Sequence, residues 1–186
     1  NGTLIDRWVF NSYKIYHKNE YWRLLTSGFI HADYSHLIFN MISLYFFGAF
    51  VEEYYRYVFG ELYGAGFYLT LYLVGILLSD VYSLFAYKNS LNFNSLGASG
   101  AVSAIVYASI LLSPLDKIYI FFIPIGIPGF IYGIIYLIYT SYLAKQSNDH
   151  VNHFAHFGGA IIGVLFTIVI YPPSVDLFID QIKTWI

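Results

Sequence analysis

Five long apolar runs limit what this chain can fold into more than any other feature. They cover about residues 34–59, 64–87, 96–113, 118–142 and 154–171, and short polar loops separate them. Crossing roughly 30 Å of hydrocarbon takes about 20 residues of helix. Backbone polar groups in lipid find no water, so each run must satisfy its own as a helix rather than as an open strand. Only 11% of the residues are charged, against about a quarter in soluble domains. The expected fold is therefore an all-α polytopic membrane protein. It forms one domain over residues 1–186, with residues 1–33 as an interfacial segment. Pro114 closes the third run, and Pro172 with Pro173 the fifth; Pro124 and Pro128 are expected to kink the fourth.

A net charge of −2 without a dense basic stretch predicts no nucleic-acid partner. Cysteine is absent, which excludes disulfides, thiolate nucleophiles and cysteine-ligated metals. The chain opens on Asn1 rather than Met and has no apolar signal core in its first 20 residues, so further sequence is expected ahead of Asn1. An outside N-terminus would put Arg7, Lys14, Lys18, Arg23, Lys88 and Lys145 outside, with Arg56, Lys117 and Lys183 inside. The positive-inside rule prefers the reverse, and a preceding helix would change the count.

Polar side chains at membrane depth are costly and point to function. In "HADYSHLIFNM", His36 and Asn40 are four apart and share a helix face as side-chain donors, while His31 belongs to the loop before them. Both also read as polarity at a helix entry. Ser99 lies in "GASG"; taken alone, it reads as a small packing residue, with Gly97, Gly100 and Ala104 allowing close approach. In "DHVNHFAHFGGAIIG", His156 is deepest, and Gly159 and Gly163 make its side of the helix open to another backbone. His150 and His153 sit nearer the loop, where histidines are usually solvated. Asp80, late in the second run, is read as snorkelling, neutral, or bonded to another helix.

A serine becomes a nucleophile when a base lies within hydrogen-bond reach and donors await the oxyanion. Ser99, His156, His36 and Asn40 supply those parts. No carboxylate is placed to complete a triad, so the arrangement reads as a dyad.

These elements, in order, resemble the rhomboid intramembrane serine proteases. The matching pieces are "YWRLLTSGFIH", H-x-x-x-x-H-x-x-x-N (His31, His36, Asn40), G-x-S-G (Gly97 to Gly100) and A-H-x-x-G (Ala155 to Gly159). The resemblance implies a rhomboid-like helical bundle with Ser99 as nucleophile and His156 as general base and acid. His36, Asn40 and the Ser99 N–H would form the oxyanion hole. His31, Trp22 and Arg23 would be structural, and Glu52 would help join helices on the cytoplasmic side. The fourth run would be the lateral gate, and "AKQSNDHVN" would cap the site. The implied partners are transmembrane protein substrates and the lipid bilayer, with no cofactor and no metal, in a bacterial cytoplasmic membrane; oligomeric state is not legible. Familiar bacterial members carry a tyrosine four residues after the nucleophile, stacked under the histidine. Here that position is Ser103, so support for His156 must come from Tyr107 or a neighbouring aromatic. The family core also has one helix more, expected before Asn1.

Rival readings fit less well. "EEYYR" (Glu52, Glu53, Arg56) is one residue short of the E-E-x-x-x-R motif of glutamate-dependent membrane proteases, and the order of motifs is reversed. No H-E-x-x-H suggests zinc. A non-catalytic rhomboid-like binding factor is the alternative within the family, but such proteins usually lose Ser or His. A transporter should show paired broken helices or a repeat.

Overall fold

The computed structural model describes residues 2–119, 125–146 and 152–186. Before the first apolar run lie helices α1 (Gly2–Trp8), α2 (Ser12–Lys18) and α3 (Arg23–Thr26), with strand β1 (Phe10–Asn11) between the first two. The first run is α4 (Tyr34–Ser43), a π turn at Leu44–Gly48 and α5 (Ala49–Phe59). The second is α6 (Glu61–Leu78) and α7 (Val81–Ala86). Strand β2 (Asn94–Ser95) leads into α8 (Ser99–Leu112), and a hairpin of β3 (Lys117–Tyr119) and β4 (Gly126–Pro128) leads into α9 (Gly129–Gln146). Helices α10 (His153–Ile170) and α11 (Ser174–Trp185) complete the chain.

Among the described residues, three continuous stretches are long and apolar enough to cross a membrane: Tyr34–Phe59, Glu61–Ala86 and His153–Ile170; Ser99–Leu112 and Gly129–Ala144 are apolar but shorter. The fourth run departs from its expected course. Instead of entering a helix at residue 118, it pairs Lys117 with Pro128, Ile118 with Ile127 and Tyr119 with Gly126. Proline pushes the residue before it into extended backbone, so Pro128 ends the strand and α9 starts behind it. The expected kink at Pro124 lies outside the described residues. Pro172 and Pro173 stop α10 as expected, but Pro173 also caps the start of α11.

Helix α8 is the centre. Twelve of its fourteen residues are buried, because α6 and α10 close on it through small residues. A Cβ on Gly159 or Gly163 of α10 would overlap the carbonyls of Gly100 and Ala104, and one on Gly75 of α6 would press on the Ala101 backbone. Helices α5 and α6 form a tight hairpin through Gly60, whose φ of 83° favours glycine. The apolar core joins Val51 and Tyr55 to Leu71, Ile105, Ala108 and Leu112. Within it the buried Tyr55 hydroxyl meets Thr167 Oγ1 at 2.7 Å.

The segment ahead of the first run braces the loop before α8. Strand β1 pairs antiparallel with β2, Phe10 opposite Ser95 and Asn11 opposite Asn94. Asn11 Nδ2 donates to the carbonyls of Leu91 (3.1 Å) and Phe93 (3.3 Å). Ser12 Oγ donates to the Ser83 carbonyl at 3.0 Å. Tyr87 and Phe93 stack inside the loop at 4.0 Å.

Candidate active site

Ser99 is the first residue of α8, and the chain reaches it through a turn that needs glycine. Gly97 has φ 106°, and its N–H donates to the Ser27 carbonyl at 2.9 Å. A side chain there would also strike the His36 ring. The first intrahelical bond runs from Val102 N–H to the Ala98 carbonyl. The Ser99 N–H is therefore one of the donors that a helix start leaves without an intrahelical partner. At this end of α8 the aligned peptide dipoles also favour negative charge.

His156 lies in the first turn of α10, where Asn152 caps the helix by accepting from the Ala155 N–H at 3.4 Å. The glycine seam between α8 and α10 brings the two side chains together: His156 Nε2 lies 2.9 Å from Ser99 Oγ. Both residues are half-buried. The second ring nitrogen, Nδ1, lies 3.0 Å from the Tyr136 hydroxyl of α9, and the two rings are stacked with centroids 6.1 Å apart at 27°. Sequence reasoning offered Tyr107 or a neighbouring aromatic. Tyr107 is engaged elsewhere, donating to the Gly133 carbonyl at 2.6 Å, and the neighbour is Tyr136. Ser103, at the position of the tyrosine in familiar bacterial members, sits beside the Tyr136 hydroxyl.

His36 and Asn40 share α4, whose start is capped by Asp33 Oδ1 accepting from the His36 N–H at 2.8 Å. The His36 ring packs over Gly97, two residues before Ser99. Asn40 is 5% exposed, and its Nδ2 has no hydrogen-bond partner among the described residues. His31 precedes the helix, as expected, and meets the His36 ring edge to face at 5.1 Å. Burial, and then the neighbouring His36, hold His31 below the usual histidine range.

The remaining candidates divide. Arg23 is 4% exposed; it pairs with Glu20 at 2.5 Å and donates to the carbonyls of Asp6 (2.8 Å) and Val9 (2.9 Å), tying the interfacial segment together. Trp22 is instead 55% exposed. Glu52 accepts from Arg56 at 2.7 Å, and Arg56 also pairs with Glu61 at the start of α6. His153 is buried against Thr140 at 3.2 Å rather than solvated. His150 and most of "AKQSNDHVN" lie outside the described residues. Asp80 is bonded to another helix: its carboxylate accepts from Asn152 Nδ2 at 2.5 Å. The same Nδ2 reaches Ser83 Oγ (2.9 Å) and Ser95 Oγ (3.4 Å). This buried cluster joins the loop before Ser99 to the helix start before His156. Its members are up to 72 positions apart, so no local motif announces it. No group of three or more His, Asp or Glu side chains able to hold a metal ion occurs among the described residues.

A family model described as "Rhomboid domain" matches residues 18–173. The chain belongs to the rhomboid family. This rhomboid is 34% identical over 158 residues to "RHOMBOID-like protein 12, mitochondrial" of Arabidopsis thaliana, covering 76% of this chain and 44% of that protein. It is 30% identical over 170 residues to the Arabidopsis "Rhomboid-like protein 11, chloroplastic", covering 81% and 53%. Against "Rhomboid protease GluP" of Bacillus subtilis it is 28% identical over 161 residues, covering 87% and 28%. The chain thus spans about half the length, or less, of these curated relatives. Its fold is a rhomboid helical membrane bundle, and it is a multi-pass membrane protein of a family that includes proteases.

Proposed function

We propose that this rhomboid is a serine endopeptidase that cleaves membrane-protein substrates within or beside their transmembrane segments. The observation that carries the reading is the 2.9 Å approach of His156 Nε2 to Ser99 Oγ, across two helices held together at glycine. His156 removes the Ser99 proton as Oγ attacks the scissile carbonyl, then donates it to the departing amine. Water hydrolyses the acyl-enzyme by the same route in reverse. The tetrahedral oxyanion is held by the Ser99 N–H, by His36 and by Asn40. In support, Asn40 Nδ2 is a buried donor without a partner among the described residues, and the positive end of α8 favours the developing charge. Gly97, Gly100, Gly159 and Gly163 act by letting these groups approach.

The substrate is read as a transmembrane segment with small residues and weak helicity at the scissile bond, since a peptide must be extended to reach Ser99. For the host membrane we propose the bacterial cytoplasmic membrane, supported by the Bacillus relative; the Arabidopsis names supply the organellar alternative, which fractionation of the native source decides.

The test is cleavage of a fluorescent transmembrane substrate by detergent-solubilised protein. Ser99→Ala and His156→Ala should each lower kcat by about 10³-fold or more. Full activity in both would reject the dyad. Fluorophosphonate labelling that persists in Ser99→Ala would point to a different nucleophile. Asn40→Ala should lower kcat by about 10²-fold with little change in KM.

A further inference from the structure

We propose that Tyr136 is the positioning residue that accepts from His156 Nδ1–H and holds its ring plane. The proposal rests on the reading of His156 as the base. A neutral imidazole carries one N–H. To take the proton of Ser99, Nε2 must be bare, and the ring hydrogen must therefore be on Nδ1. The Tyr136 hydroxyl faces Nδ1 at 3.0 Å.

A phenol can donate or accept, so Tyr136 alone would permit either tautomer. The role of base selects between them: with Nδ1–H donating to the Tyr136 oxygen, Nε2 is left to accept from Ser99.

The ring of Tyr136 supplies the second constraint. Its stacking on His156 at 27° resists rotation of the imidazole away from Ser99. The imidazole on α10 is thus held from α9, through Tyr136. Tyr107 serves as the internal control, because its hydroxyl is committed to the Gly133 carbonyl.

The experiment compares Tyr136→Phe, Ser103→Ala and Tyr107→Phe with the parent, each purified in detergent. Three readouts apply: substrate kinetics, the rate of fluorophosphonate labelling, and ¹⁵N side-chain shifts of histidine-labelled protein. Tyr136→Phe keeps the ring and should lower kcat and the labelling rate by about 10- to 30-fold with KM within twofold. Its His156 shifts should move from a single Nδ1–H tautomer to a mixture. Ser103→Ala should cost no more than about threefold, and Tyr107→Phe should leave all three readouts at parent values. Parent-like kcat and labelling in Tyr136→Phe, while Ser99→Ala and His156→Ala are silent, would overturn the positioning role and leave the dyad standing. If the parent neither cleaves nor labels, the dyad reading fails. The histidine shifts then still decide the positioning role: a change on Tyr136→Phe upholds it, and unchanged shifts overturn it.

Discussion

Helix α8 is held differently on its two flanks. Toward α10 the contact is backbone on backbone, with Gly159 and Gly163 lying against the carbonyls of Gly100 and Ala104. Toward α9 the contact passes through a tyrosine, Tyr107 reaching Gly133, and Tyr136 of α9 reaches His156 of the neighbouring α10. The first flank has no flexible atom with which to absorb a change. The second is made of side chains that adjust their rotamers. The rigid flank sets the spacing of the backbones that carry Ser99 and His156, and the adaptable one sets Tyr136 beside the His156 ring.

The sharpest way to break this contrast is to add the same methyl group on each side. Gly159→Ala drives a Cβ into a carbonyl. It should cost about 3 kcal/mol or more, the upper range for overpacking, because backbone cannot yield. Thermal unfolding in detergent reads the loss, and cleavage should disappear with it. A smaller loss should follow Asp80→Ala, which removes the carboxylate acceptor and leaves Asn152 Nδ2 only the Ser83 and Ser95 hydroxyls. Losing a buried hydrogen bond to a carboxylate costs about 1–3 kcal/mol. Asp80→Asn keeps an acceptor for Asn152 and should retain most of the stability. On the tyrosine side, a Cβ on Gly133 would come no closer than 3.2 Å, to the end of the Ile110 side chain. Gly133→Ala should change stability by less than about 1 kcal/mol, since the gain in helix propensity offsets the crowding. Equal damage from Gly133→Ala and Gly159→Ala would erase the distinction between the flanks. The smallest effect belongs to Glu52→Gln: its bond to Arg56 lies at a solvated helix end, so the unfolding temperature should not move measurably.

The legible part of the site was the part written at helical spacing. His36 and Asn40, four apart, and Gly159 and Gly163, four apart, declare a face without any tertiary information. Ser99 and His156 are 57 positions apart, and became a pair through motif order. Tyr136 was not legible because its partner lies on another helix and because it is one of 20 tyrosines in an apolar chain. The link from Asp80 to Asn152 was hidden for the same reason. The β3–β4 hairpin was missed because its residues are as apolar as a span, and periodicity cannot separate a short apolar strand from a buried helix. Helix α11 was missed because paired prolines signal a stop, whereas the second also suits the entry to a new helix.

The shortness of α8 has a consequence for the chain ahead of it. Fourteen residues extend about 21 Å, well under the roughly 30 Å of hydrocarbon. The shortfall is made up by irregular chain before Ser99, and bare peptide groups at that depth are tolerated only inside protein or along a wet cavity. Asn11 satisfies part of this chain from outside it, through the carbonyls of Leu91 and Phe93. The interfacial segment is therefore a plug. It covers peptide groups ahead of Ser99 where lipid would otherwise meet them.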